Sequence, residues 1–199
     1  MILCNAQIQV ALDAGRLVIR PEPLPRQALE GQYCPYDTHS VDLTLAPEIS
    51  IPTPGPYCYD VMQPGTSLAE FLSTNSKKQR IDETTGFALA KNQFILARTR
   101  ETIALPIPGE DAQTCLAARI EGKSSRARCG VLVHFTAPTV HPGFEGSLTL
   151  EMINLGPVPF ILRTGMPIAQ LIVEEVRGIP FWNQSQFQGQ NSPEGMAQP

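Results

Sequence analysis

No stretch of this 199-residue chain approaches the roughly 18 consecutive apolar residues of a membrane-spanning helix, so none is predicted. The opening MILCNAQIQVALDAG also lacks a basic stretch followed by an extended apolar one, and does not read as a secretory leader. Cysteine is sparse and unpatterned. The five residues Cys4, Cys34, Cys58, Cys115 and Cys129 are odd in number, widely spaced and without a CxxC pair, which argues against a disulfide framework and against a thiolate metal site. Positive charge is not in excess either. The net charge of -4 and pI of about 5.4 give no global field that draws the chain to nucleic acid or to an anionic membrane. These absences predict a soluble, cytoplasmic protein with reduced thiols, in which any anion site is local.

Turn chemistry, by contrast, is abundant. Nineteen prolines and fifteen glycines separate short runs rich in Val, Ile, Leu and Thr, the pattern of many short strands joined by turns. The length suits one β domain over residues 1–182, with the polar, Gln-rich segment 183–199 as a flexible tail. Asn5, Ile8, Ala11, Leu12 and Gly15 predict a short amphipathic helix over 5–14. Strands are predicted at 17–19 and at 40–45, the second half-buried because Val41, Leu43 and Leu45 alternate with polar residues. Residues 21–38 and 46–66 are Pro-rich and read as irregular, and the polar STNSKKQRIDETTG at 73–86 reads as a mobile loop. Further strands are predicted at 87–89, 94–99, 102–105, 115–120, 130–135, 147–153, 160–162 and 168–174, a spacing that suits a sandwich or barrel.

Chemistry concentrates between Glu121 and Glu151, EGKSSRARCGVLVHFTAPTVHPGFEGSLTLE. Arg119, Lys123, Arg126 and Arg128 face a single acid, Glu121, while Gly122 permits a sharp turn and Ser124 and Ser125 add hydroxyls and N–H groups suited to phosphate oxygens. Glu151 shares one strand face with Thr149 and Ile153, and Leu148, Leu150 and Met152 form the other. A carboxylate among apolar neighbours and near a guanidinium can be tuned for proton transfer. His134 reads as a core histidine and His141 as a turn residue open to a ligand. No spacing of His and Cys suits protein-bound zinc, and the HxE followed by PCxxC of zinc-dependent deaminases is missing.

Several blocks, in order, resemble the dCTP deaminase family of the dUTPase-like superfamily. They are the MIL start, Ser40-Val41-Asp42-Leu43, Ala97-Arg98-Thr99, the run from Glu121 to Arg128, His134-Phe135-Thr136-Ala137, Pro142 to Gly146, Leu148-Thr149-Leu150-Glu151 and Gly165 to Leu171. The resemblance implies a distorted β-barrel or jelly-roll subunit with a short N-terminal helix, assembled as a homotrimer with sites shared between neighbouring chains. It implies hydrolytic deamination of dCTP to dUTP and ammonia, with Mg²⁺ carried by the substrate triphosphate and dTTP as a candidate inhibitor. Carried over by position, Glu151 is the general base, Ser124 and the carbonyl of Ala137 hold the attacking water, and Arg128 orients carboxylate and water. Lys123 and Ser125 are then expected on the triphosphate, Phe135 and Thr136 at the pyrimidine edge, Val140 against the sugar, and His141, Gln170 and Gln190 as further substrate contacts. The chain departs from the family at Lys123, where Arg is usual, at His141, where Asp is usual, and at Gln186 and Phe187 in the segment that resembles a closing lid. Two other readings remain: a bifunctional enzyme that also splits dUTP to dUMP and pyrophosphate, and a non-catalytic trimeric nucleotide binder.

Overall fold

The computed structural model describes residues 1–63, 65, 67–109, 111–183 and 185–195, and the chain is mainly β with a short N-terminal helix. Helix α1, Asn5–Asp13, buries Ile8 and Ala11 at one-turn spacing and returns the chain through Leu17, whose N–H donates to the Ala11 carbonyl at 3.1 Å. Strand β1, Val18–Arg20, follows, then the tight pair β2, Tyr36–Asp37, and β3, Ser40–Thr44. Next come β4, Glu48–Pro52, helix α2, Leu68–Thr74, β5, Ser76–Arg80, and β6, Phe87–Leu89. The long strands β7, Phe94–Ala104, and β8, Thr114–Gly122, lead into the one-turn helix α3, Ser124–Ala127. The chain continues through β9, Val131–Leu132, β10, Thr139–Val140, β11, Glu145–Asn154, β12, Phe160–Leu162, and β13, Pro167–Arg177.

Antiparallel pairing arranges these strands in two main sheets. One runs β5-β4-β7-β11-β9 with β1 also on β7, and the other runs β10-β8-β13-β3-β2, while β6 and β12 form a separate pair. Leu43, Ile95, Leu150 and Leu171 are all wholly buried between the sheets, each such side chain stabilising the fold by about 1.5–3 kcal/mol. The sheets are stitched by a buried acid: Glu101 on β7, 4% exposed, accepts from the Thr44 N–H at 2.8 Å and the Thr44 hydroxyl at 2.6 Å on β3. Full hydrogen bonding is what makes such a buried carboxyl tolerable.

Five expectations change. Residues 46–66 are not irregular throughout, since β4 lies within them and pairs with β5 and β7. Strand β3 is buried on both faces rather than half-buried, because the Ser40 hydroxyl accepts from the Gln170 side chain at 3.1 Å and Asp42 is covered by Lys123 and Tyr33. The segment 73–86 is not a loop throughout: β5 pairs with β4 from Glu48 opposite Arg80 to Pro52 opposite Ser76, a charged strand at a sheet edge. Residues 94–104 form one strand instead of two: the ladder with β11 is interrupted between Thr102 and Arg98 by a register shift, but the strand runs on through it. The strand expected at 130–135 stops at Leu132, and the chain beyond it turns toward Glu151. Among the described residues no helix is long and apolar enough to cross a membrane.

Candidate active site

Alternation along β11 sets the site. Leu148, Leu150 and Met152 are buried, while Thr149, Glu151 and Ile153 on the opposite face are half-buried. Glu151 lies opposite Leu96 of β7, and its Oε2 accepts a hydrogen bond from the Phe135 N–H at 3.3 Å. This bond holds the carboxylate from one side, and Oε1 accepts none from the described residues. The Phe135 ring packs on Phe94, with centroids 5.8 Å apart, which steadies the amide that holds Glu151. The ladder shifts register between Ser147 and Thr149, where the Leu148 N–H turns to the Thr99 hydroxyl at 2.9 Å. A cavity of about 710 Å³ opens here, walled by Leu96, Ile120, Val140 and Leu148 around Glu151, with Ala137, Thr149 and His141 at its edge.

The basic turn folds as α3, whose backbone N-cap is Lys123. The Lys123 ammonium is engaged: it lies 2.5 Å from each oxygen of Asp42, which is 4% exposed. Asp42 also accepts a short hydrogen bond from Tyr33, whose hydroxyl is held well above its ordinary ionisation range, chiefly by burial and then by that bond. Gln170 sits opposite Asp42 on β13 and donates to Ser40. Ser124, Ser125 and Arg128 are exposed, and none of the three lines the cavity. Gly130 fixes α3 against the end of β11: with φ of 85° its missing Cβ would fall 2.3 Å from the Gly156 nitrogen, and its carbonyl accepts from Leu155 at 2.8 Å. Asp42→Ala should therefore destabilise the fold by about 3 kcal/mol, because it strands a half-buried ammonium and a phenol together. Urea unfolding checks this; an unchanged midpoint would show that the pair contributes nothing.

The segment after β13 crosses the cavity. The Gly189 N–H donates to the Glu145 carbonyl at 2.7 Å, and the Ser147 N–H donates to the Gln190 carbonyl at 2.9 Å, adding a short ladder to the start of β11. Gly146 makes this approach feasible, since a Cβ there would lie 2.8 Å from the Gln190 carbonyl oxygen. Gln190 is 6% exposed, and its side-chain amide donates to the Ser147 carbonyl at 2.7 Å. Gln186 and Phe187 also line the cavity, together with Phe181 and Trp182. Positions 184 and 196–199 of the tail lie outside the described residues.

A family model described as dCTP deaminase-like matches residues 2–176. The chain belongs to the dCTP deaminase family. It is 33% identical to a dCTP deaminase of Natronomonas pharaonis over 98% of this chain and 93% of the relative. It is 31% identical to a dUMP-forming dCTP deaminase of Methanosphaera stadtmanae over 97% of this chain and 91% of that one. Among solved structures, the 2'-deoxycytidine 5'-triphosphate deaminase of Agrobacterium tumefaciens shares the fold, with a TM-score of 0.60 at 18% identity over 88% of this chain. This chain spans 47% of that larger one.

Within this dCTP deaminase family member the sequence-expected residues thus fall in two groups. Glu151, Ala137, Val140, His141 and Gln190 line one cavity, with Phe135 behind Glu151 and Thr136 exposed on the same loop. Lys123, Ser124, Ser125 and Arg128 cluster on α3, with Gln170 on the neighbouring sheet. His134 is half-buried and its Nε2 lies 3.5 Å from Glu121, outside the cavity lining. Two polar residues escaped the sequence reading. Asp42 sat in a block read for its strand pattern and its likeness to the family with no role given to the acid, and Glu194 sat in a tail whose polarity suggested solvent. Among the described residues no group of three or more His, Cys, Asp or Glu side chains is placed to hold a metal ion.

Proposed function

We propose that the chain hydrolyses dCTP to dUTP and ammonia in pyrimidine deoxynucleotide metabolism, in the cytoplasm, with Glu151 as general base. The observation that carries this reading is the Glu151 carboxylate, fixed through one oxygen by the Phe135 N–H and open through the other toward an apolar-walled cavity, in a chain of this family. Water positioned by Glu151, the Ala137 carbonyl and Ser124 adds to C4 of the cytosine, and Glu151 takes its proton. The same carboxyl then passes protons toward N3 and the exocyclic amine, so that the C4–N4 bond breaks, ammonia departs and a C4 carbonyl remains. Fixed geometry together with such acid-base action supplies the rate.

Ser124, Ser125 and Arg128 lie outside the lining of the cavity that holds Glu151. In our reading a second copy of the chain brings its α3 to this cavity, within a homotrimer of barrel-like subunits. Exposed Ser124 and Ser125 hydroxyls and the Arg128 guanidinium suit the triphosphate and the water at such a junction. Mg²⁺ would travel on the triphosphate oxygens, a mode that asks for no cage of protein carboxylates.

A second reading, release of dUMP and pyrophosphate, is favoured by the extent of the match to the dUMP-forming relative. Incubation with dCTP and, separately, dUTP in the presence of Mg²⁺ distinguishes the two. Ammonia and dUTP from dCTP, with dUTP left intact, is the expected result. Pyrophosphate from both substrates would establish the bifunctional reaction, and binding with no product from either would sink the enzymatic reading.

A further inference from the structure

The cavity contains a second carboxyl group besides Glu151. Glu194 lines the cavity, is 3% exposed, and its Oε1 is buried without a hydrogen-bond partner among the described residues. Three other polar groups of the tail are already used. Gln188 donates to the Gly143 carbonyl at 3.2 Å, Gln190 to the Ser147 carbonyl at 2.7 Å, and the Ser185 hydroxyl accepts from the Phe187 N–H at 3.2 Å. Gln190 therefore acts as a clamp that holds the tail in place, and its amide is spent on the backbone. Next to it, Gly195 passes close to both Phe187 and the Gln190 Oε1, which keeps the Glu194 turn pressed into the cavity.

A buried carboxyl oxygen with no donor is costly, and native structures retain such groups where something outside the chain completes them. Its chemistry limits what that something is. A carboxylate accepts hydrogen bonds and repels phosphate, and the apolar side chains that line the same cavity, Val140, Leu148 and Leu96 among them, suit the uncharged part of a nucleotide. On the reading that the ligand is dCTP, we propose that Glu194 is a specificity-determining residue that accepts a hydrogen bond from a donor on the nucleoside moiety. That donor is the sugar 3'-hydroxyl or the base amino group. Glu194 demands a donor at that point and disfavours ligands that lack one, because without it the buried oxygen stays unsatisfied.

Calorimetric titration of the full chain and its Glu194→Ala variant with dCTP, 2',3'-dideoxy-CTP and dUTP tests this. Wild type should bind dCTP roughly tenfold or more tighter than one of the two analogues, the usual scale for a lost charged hydrogen bond. Glu194→Ala should lose that preference while binding the disfavoured analogue as wild type does. Loss confined to dideoxy-CTP assigns the 3'-hydroxyl, and loss confined to dUTP assigns the amino group. The unliganded variant should melt at the same temperature as wild type or higher, since it sheds an unsatisfied buried group. Unchanged dCTP binding, equal weakening toward all three nucleotides, or a shift in assembly with binding intact would overturn the role of Glu194 and leave the deaminase reading standing. Failure of wild type to bind dCTP at all would remove that reading, and this inference with it.

Discussion

Glu151→Gln is expected to lower kcat for ammonia release from dCTP by about 10²- to 10⁴-fold, the range that a positioned acid-base group contributes. Dissociation constants for dCTP should stay within a few-fold. The amide is nearly isosteric with the carboxylate, and its carbonyl oxygen can still accept the Phe135 N–H that Oε2 accepts at 3.3 Å. Placement, packing on β11 and cavity shape are thereby kept, and only the ability to take and return a proton is lost. Glu151 is also half-buried on a strand face whose other residues are Thr149 and Ile153, so the substitution leaves no buried charge unpaired and should not alter the melting temperature. Single-turnover measurement of ammonia release at saturating dCTP separates the chemical step from binding. Wild-type turnover in this variant would exclude Glu151 as the base. A loss seen only in KM would instead make it a binding residue.

Strands whose pattern came from packing were legible in the sequence, and those shaped by hydrogen bonding or edge position were not. The alternation in 147–153 announced β11 and the face that carries Glu151, because leucines and methionine fill the core on a period of two. Strand β5, SKKQR, has no such period: as the outermost strand of its sheet it buries little and needs charge to discourage further pairing. Helix α2 was not predicted, although Ser67 and Glu70 have capping-box spacing and the Ser67 hydroxyl accepts from the Glu70 N–H at 3.3 Å. A loop assigned from residue 73 onward cut across that helix. The two strands expected at 94–99 and 102–105 are one, and Glu101 between them belongs to the interior through two hydrogen bonds from Thr44.

The site divides along the same line. The α3 cluster was legible as one basic, hydroxyl-rich turn and Glu151 from its strand face, while the association of Glu151 with Ala137 came from the resemblance to the family. Partners distant in the chain were not visible: Lys123 meets Asp42 from 81 positions away.

Mixing two inactive variants, Glu151→Gln and Arg128→Ala, is expected to restore ammonia release to about a quarter of the wild-type rate per site, the share that random assembly of two chain types gives when each site needs one residue from each of two copies. The expectation follows from the separation of the two groups. Glu151 faces a cavity lined by Ala137, Val140, His141 and the tail, whereas Arg128 is exposed on α3 and absent from that lining. A neighbouring copy that presents α3 to the cavity would supply Arg128 from a Glu151→Gln chain to a site whose Glu151 is intact. Each variant alone has the same defect in every site, so the recovered rate measures shared sites directly. The two chains should be mixed under mild denaturant and returned to buffer to exchange subunits, with sedimentation confirming the same assembly before and after. Recovery after exchange, and none on simple mixing, is the expected pair of results. Persistent inactivity in verified mixed assemblies would mean that Arg128 and Glu151 act within one chain, and α3 would then have to move toward β11 when the nucleotide binds.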